Sequence, residues 1–144
     1  MASSKKTENG WYLLAFAWVV AMTATIGSLF FSEEMGFVPC QLCWYQRIAM
    51  YPTAVVLLMG VLLNDLRAGL YGMVLAGLGL IIAIYHNLIQ WEIIPPSMIP
   101  CSQGIPCGTM YIQWLGFITI PFLSMMAFGA IFIVLCFLRR SHVK

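Results

Sequence analysis

An all-α integral membrane fold, a bundle of four transmembrane helices with both termini in the cytoplasm, is the class that three observations predict. Hydrophobic residues make up 62% of the 144-residue chain and charged residues only 8%, too little solvating charge for a soluble domain of this size. The apolar residues gather into four runs, each near the roughly 20 residues a helix needs to cross a hydrocarbon core. The basic residues also fall mostly on one side of the path that these runs trace.

The first run, Trp11 to Phe31, follows Lys5 and Lys6 in the manner of a secretory signal. It is longer than a signal core of about 7 to 15 residues and no small-x-small cleavage site follows, so it is read as a span. The second run is Cys43 to Leu63. The third covers about 68–87, apolar from Ala68 to Tyr85 with a polar extension to Gln90, and the fourth is Trp114 to Leu138. Pro52 and Pro121 fall inside spans and are expected to bend them, with neighbouring helices satisfying the freed carbonyls. Gly69, Gly72, Gly77 and Gly79 predict close-packing surfaces between the third helix and its neighbours. Trp44, Tyr45, Tyr85, Trp91, Tyr111 and Trp114 fall where an interfacial aromatic belt belongs. The chain reads as a single domain, 1–144, with no soluble module, no internal repeat and no basic face of the kind that binds nucleic acid.

If the runs alternate in direction, the N-terminus, the loop at Asn64 to Arg67 and the C-terminus share one side. That side collects Lys5, Lys6, Arg67, Arg139, Arg140 and Lys144. The opposite side receives the Ser32 to Gln41 and Trp91 to Gln113 loops, which carry Glu33, Glu34 and Glu92, with Arg47 just inside the second helix. The positive-inside rule then makes both termini cytoplasmic.

Of the five cysteines, Cys40, Cys43, Cys101 and Cys107 fall on the inferred outer face, where disulfides are chemically permitted, and Cys136 lies in a span as a packing residue. Cys40 and Cys43 form a Cys-x-x-Cys pair that follows Pro39 and opens the second helix. The unpaired N–H groups and partial positive charge of a helix N-terminus favour thiolate over thiol, which suits redox chemistry. Arg47 follows Cys43 at helical spacing, where it can stabilise a thiolate at Cys43 or snorkel to lipid headgroups. Cys101 and Cys107 sit in a loop rich in proline and glycine that another protein could reach. On spacing alone this second pair is equally a structural disulfide or a redox pair. A third reading makes the four outer cysteines a tetrahedral zinc site on a noncatalytic scaffold, although the wider second spacing is looser than common zinc ribbons.

A pair that oxidises another protein's thiols must be reoxidised, and the chain carries no haem, flavin or iron–sulfur signature. Lipid contact makes a membrane quinone the natural electron acceptor. Arg47 and His86, the latter near the outer end of the third helix with Gln90 one turn beyond, are the candidate donors to its carbonyl oxygens.

These residues resemble the DsbB disulfide-bond formation family, especially its short BdbC-type members from Gram-positive bacteria. The resemblance covers nearly the whole chain. It rests on the four spans, on Pro39-Cys40-Gln41-Leu42-Cys43-Trp44-Tyr45-Gln46-Arg47, on the His86 to Gln90 helix end, on a cysteine pair in the second outer loop, and on Gln113-Trp114-Leu115-Gly116. Bacteria keep the periplasm oxidising through a DsbA–DsbB–quinone chain. The resemblance therefore implies a multi-pass cell-membrane protein that reoxidises a DsbA-like thioredoxin-fold partner outside the cytoplasm. In the implied relay the reduced partner attacks the Cys101–Cys107 disulfide at Cys101, and Cys107 attacks Cys40. The Cys43 thiolate, beside Arg47, then passes electrons to quinone, with menaquinone favoured and ubiquinone possible. The second loop is shorter than in Gram-negative members, which leaves the order of attack at Cys101 and Cys107 open. Vitamin K epoxide reductase-like enzymes share the logic, but their loop cysteines precede the Cys-x-x-Cys motif, the reverse of the order here.

Overall fold

The computed structural model describes residues 2–95, 107–108 and 119–143, with side chains within the helices described between 8 and 141. Among the described residues the architecture is four helices, α1 (Ala2–Glu33), α2 (Gln41–Leu63), α3 (Ala68–Gln90) and α4 (Ile120–Val143), with no strand. All four contain stretches long and apolar enough to cross a membrane. Each helix packs on its neighbour in sequence and α1 closes the ring against α4, while the α2–α4 diagonal touches little.

Local chemistry sets the helix ends. Cys40, with extended backbone, caps α2 by accepting the Cys43 N–H at its sulfur, 3.4 Å away. Asn64 ends α2 in the left-handed conformation, which asparagine tolerates, and its N–H returns to the Gly60 carbonyl. Asp65 Oδ1 then accepts the Arg67 N–H at 2.9 Å and turns the chain into α3. The Trp11 indole donates to the Val61 carbonyl at 3.1 Å, fastening the start of α1 to the end of α2.

Packing is that of a membrane bundle. The interior uses small side chains, among them Ala17, Ala21, Ala54, Ala76 and Ala83, while Phe16, Ile48, Ile81 and Phe137 point outward. Helices in lipid gain by close approach and lose nothing by exposing large apolar groups. The predicted glycine surfaces bear this out: a Cβ at Gly79 would collide with the Phe128 ring of α4, and one at Gly72 would lie 2.7 Å from Leu57 of α2.

Two proline expectations separate. Pro52 lies inside α2, whereas Pro121 falls in the first turn of α4, where its missing N–H costs no helical bond. Thr119 caps that turn, its hydroxyl accepting the Phe122 N–H at 3.4 Å. The expected start of the fourth span at Trp114, and Tyr111 of the aromatic belt, lie outside the described residues. Trp44, Tyr45 and Trp91 are exposed, as a belt requires.

Candidate functional site

One end of the bundle is polar inside. Gln46, Arg47, His86, Asn87 and Gln90 are all buried there, around the N-terminus of α2 and the C-terminal end of α3. Burying so many polar groups in an apolar bundle is costly unless they bond to one another, and buried polar groups at membrane depth mark functional positions.

Cys40 and Cys43 are free thiols whose sulfurs lie 3.1 Å apart. Hydrogen bonding from the Cys43 thiol holds the Cys40 thiol far below its ordinary range, at about 4, and the nearby His86 adds to the effect while burial opposes it. His86 Nε2 stands 3.8 Å from the Cys40 sulfur. The same nitrogen is 3.0 Å from the Cys107 carbonyl oxygen. Cys107 is buried and disulfide-bonded, and it packs with Cys40, Leu42 and Ile89 in one cluster. The fold therefore brings a member of the second cysteine pair against the first; Cys101 lies outside the described residues.

Arg47 takes a more specific position than headgroup snorkelling. Its Nε donates to Ser28 Oγ at 2.8 Å, and its Nη2 donates to the Ser28 carbonyl at 2.7 Å and to Ser32 Oγ at 2.9 Å. The guanidinium also lies over the Trp44 ring, 5.4 Å from its centroid. Its hydrogen bonds thus run to α1, and none of them reaches the sulfurs.

Beside these groups opens a cavity of about 440 Å³ between α1, α2 and α4. Its walls are largely apolar, with Val20, Phe31, Met50 and Leu123 among them, and Cys40, Cys43, Arg47, His86 and Gln90 reach it at the polar end. Gln90 is 6% exposed and its Oε1 has no hydrogen-bond partner, so an acceptor waits at the cavity for a donor. An apolar chamber with a few convergent polar groups is the usual form of a cofactor site.

The sulfurs of Cys40 and Cys43 and a ring nitrogen of His86 lie within 4.8 Å of one another, a spacing that could hold a metal ion. The four-cysteine zinc reading fits less well, because Cys107 is spent in a disulfide and offers no thiolate. Cys136 stands apart, its sulfur 3.7 Å from that of Met73.

Sequence reasoning missed Ser28, Ser32, Gln46 and Ser124. Gln46 Nε2 lies 3.0 Å from His86 Nδ1, and the Ser124 hydroxyl lies 2.7 Å from Gln46 Oε1. Ser28 and Ser32, one turn apart on α1, carried a faint signal as paired hydroxyls near an interface. Ser124 carried none.

The sequence profile of the family described as "Disulfide bond formation protein DsbB" matches residues 8–138. The chain belongs to the DsbB family. It is 45% identical over 132 residues to "Disulfide bond formation protein C" of Bacillus subtilis (strain 168), covering 92% of this chain and 96% of that one. It is 41% identical over 140 residues to a "Probable disulfide formation protein" of Oceanobacillus iheyensis, covering 96% and 94%. It is 44% identical over 130 residues to a "Probable disulfide formation protein C" of Halalkalibacterium halodurans, covering 90% and 93%. No solved structure matches the chain significantly. The resemblance to the short BdbC-type members of the DsbB family, first carried by the Pro39 to Arg47 stretch, is thereby established.

Proposed function

We propose that this chain is a cell-membrane thiol–disulfide oxidoreductase that reoxidises a DsbA-like thioredoxin-fold partner outside the cytoplasm and delivers the electrons to a membrane quinone. The observation that carries the proposal is the meeting of three things at one point: the Cys40–Cys43 pair, the disulfide-bonded Cys107, and a largely apolar cavity with an unpartnered buried acceptor. Both termini are cytoplasmic in this reading, which places the cysteines on the outer face where disulfides persist.

In the first exchange a partner thiolate attacks Cys101 of a Cys101–Cys107 disulfide, forming a mixed disulfide and releasing the Cys107 thiolate. The partner's second thiolate then displaces Cys101 and leaves the partner oxidised. Cys107, already packed against Cys40, attacks the Cys40–Cys43 disulfide at Cys40 and releases the Cys43 thiolate. Cys101 completes the transfer by displacing Cys40, which leaves a closed loop disulfide and a reduced Cys40–Cys43 pair. No electrons are gained or lost overall, and the direction follows the potentials, about 1.4 kcal/mol for every 30 mV in a two-electron couple.

A quinone bound in the cavity supplies an acceptor for two electrons and two protons. The protein residues bind and orient it. The Arg47 Nη1 donors, not used in the three bonds to α1, are suited to carbonyl oxygens, and Gln90 Oε1 is suited to accept a hydroxyl; His86 lines the same cavity with its two ring nitrogens facing Gln46 and the Cys107 carbonyl. Menaquinone is the favoured species and ubiquinone the alternative.

Purified protein in detergent, a reduced thioredoxin-fold donor and a water-soluble quinone analogue test this reading, with Cys40→Ala and Cys101→Ala as controls. Quinone reduction that requires both cysteines is the expected result. Absence of reduction with every quinone, together with stoichiometric zinc bound at Cys40, Cys43 and His86, would replace the relay with a metal-holding scaffold.

A further inference from the structure

Two thiols and an imidazole meet at the polar end of the bundle, drawn from two helices, and all three are metal ligands by type. The sulfurs of Cys40 and Cys43 and a ring nitrogen of His86 lie within 4.8 Å of one another. Cys40 Sγ is 3.1 Å from Cys43 Sγ and 3.8 Å from His86 Nε2. In a tetrahedral zinc site, with bonds of about 2.3 Å to sulfur and about 2.05 Å to nitrogen, two sulfur ligands stand about 3.8 Å apart and a sulfur and a nitrogen about 3.5 Å. The sulfur–nitrogen spacing already approaches that value. The sulfurs have to part by about 0.7 Å, a movement that rotation of the half-buried Cys43 side chain supplies.

The backbone adds a fourth atom. The Cys107 carbonyl oxygen lies 3.0 Å from His86 Nε2, where oxygen and nitrogen ligands of one tetrahedral ion stand about 3.4 Å apart. Binding uses the lone pair of Nε2, so the ring hydrogen has to sit on Nδ1. Gln46 permits this, because its amide reaches Nδ1 at 3.0 Å and, turned over, accepts that hydrogen through its oxygen. Metal-ligating histidines are almost always anchored through their second nitrogen in this way.

The surroundings select the ion. No carboxylate lines the cavity among the described residues, so calcium and magnesium, which take oxygen ligands, find no set to bind them. Cys40 packs with Leu42 and Ile89, apolar neighbours that penalise net charge. Two thiolates, a neutral imidazole and a carbonyl carry two negative charges, which a divalent ion cancels and a monovalent one does not. Thiolate and imidazole together suit zinc.

We propose that the reduced Cys40–Cys43 pair, with His86 and the Cys107 carbonyl, forms a redox-gated zinc site that arrests the protein in its reduced form. Binding moves no electrons. Zinc forms a bond to each sulfur, and whatever protons the two thiols still carry leave to solvent. In the oxidised pair the sulfurs are bonded to each other and offer no thiolate, so the site exists only after reduction. Bound zinc in turn occupies both sulfurs and keeps the disulfide from re-forming. The site follows from the cluster alone, whereas the arrest rests on the proposed relay.

Anaerobic titration of the full-length, tag-free protein in detergent tests the site, with zinc alone and cobalt(II) alone added to chelator-stripped samples in the reduced and oxidised states. The expected result is one tightly held zinc per chain in the reduced protein and none in the oxidised one. Cobalt should show tetrahedral ligand-field bands with sulfur-to-cobalt charge transfer. Cys40→Ser and Cys43→Ser should each weaken zinc binding by about a hundredfold or more, and Gln46→Leu, which removes only the anchor of the ring, by about tenfold. A Cys101→Ser, Cys107→Ser double variant keeps the backbone carbonyl and should still bind. Equal uptake by the oxidised protein, no uptake by the reduced protein, or uptake that survives Cys40→Ser but not the double variant would overturn the site. Quinone reduction, measured separately in chelator, should stop with one equivalent of zinc and return when chelator is restored. Reduction that continues with the site filled would overturn the arrest. Uptake as expected beside no quinone reduction even in chelator would remove the relay, and the arrest with it, and leave the zinc site in place.

Discussion

Arg47 of α2 is bound to Ser28 of α1 twice, through Nε to the hydroxyl at 2.8 Å and through Nη2 to the backbone carbonyl at 2.7 Å. The carbonyl of Ser28 lies in the last two turns of α1, where Ser32 also accepts from the same guanidinium at 2.9 Å. A planar fork can reach all of these acceptors at once, and an ammonium cannot.

Replacing Arg47 should therefore separate the two half-reactions. Arg47→Ala is expected to lower quinone use by about tenfold or more, about 1.4 kcal/mol per factor of ten, while exchange with the thioredoxin-fold partner continues. Arg47→Lys should recover little, because it keeps the charge without the fork. Stopped-flow quinone reduction and gel-shift trapping of the mixed disulfide measure the two separately; equal loss in both would remove Arg47 from its assigned place.

Ser28→Ala tests the support rather than the guanidinium itself. A hydrogen bond to a charged group contributes about 1.5–3 kcal/mol, and the Ser28 carbonyl and Ser32 remain as partners, so a loss near the lower end is expected. Thermal unfolding in detergent should register it, and an unchanged Tm would mean that lipid or water replaces the hydroxyl freely.

The Cys40 thiol should react as a thiolate well into the acid range. Its pKa is lowered to about 4, so the anion persists above that pH and is lost as the pH falls through it. The pH profile of iodoacetamide labelling, read at Cys40 by peptide mass spectrometry in the reduced protein, should bend near there. Cys43→Ala should raise the midpoint most, because the Cys43 thiol is the largest cause of the lowering, and His86→Ala should raise it less. A labelling midpoint in the ordinary thiol range for the unmodified protein would contradict the assignment.

Gly79 should accept no side chain while Phe128 stays in place. A Cβ there meets the Phe128 ring, and overpacking of this kind costs about 1–3 kcal/mol. Gly79→Ala should lower the Tm, and Gly79→Ala combined with Phe128→Leu should recover part of the loss, a coupling that two independent sites would not give.

Cys136 should be dispensable. Its sulfur contacts Met73 and lies away from the polar end of the bundle. Cys136→Ala is expected to retain quinone reduction within about twofold, since small core changes away from the site cost little. A large loss would require a fifth thiol in the relay.

The helix count, the approximate spans, the Cys-x-x-Cys pair at a helix start and the family were legible in the sequence. They depend on local properties: apolar run length, cysteine spacing and short motifs are written along the chain. The glycine packing surfaces were also legible, because small residues have few other uses in a span. What no local pattern could reveal was the choice of partners across helices. Arg47 stood near Cys43 in sequence yet bonds to α1, and Gln46 reaches His86 on α3 and Ser124 on α4. His86 was a candidate from its place at a helix end, but its neighbours were not legible until the bundle closed and set its ring between Cys40, Gln46 and the Cys107 carbonyl. Hydropathy reports which residues leave water but not which buried donor meets which acceptor. That pairing depends on the rotation and depth of four helices against one another, and only the tertiary structure decides it.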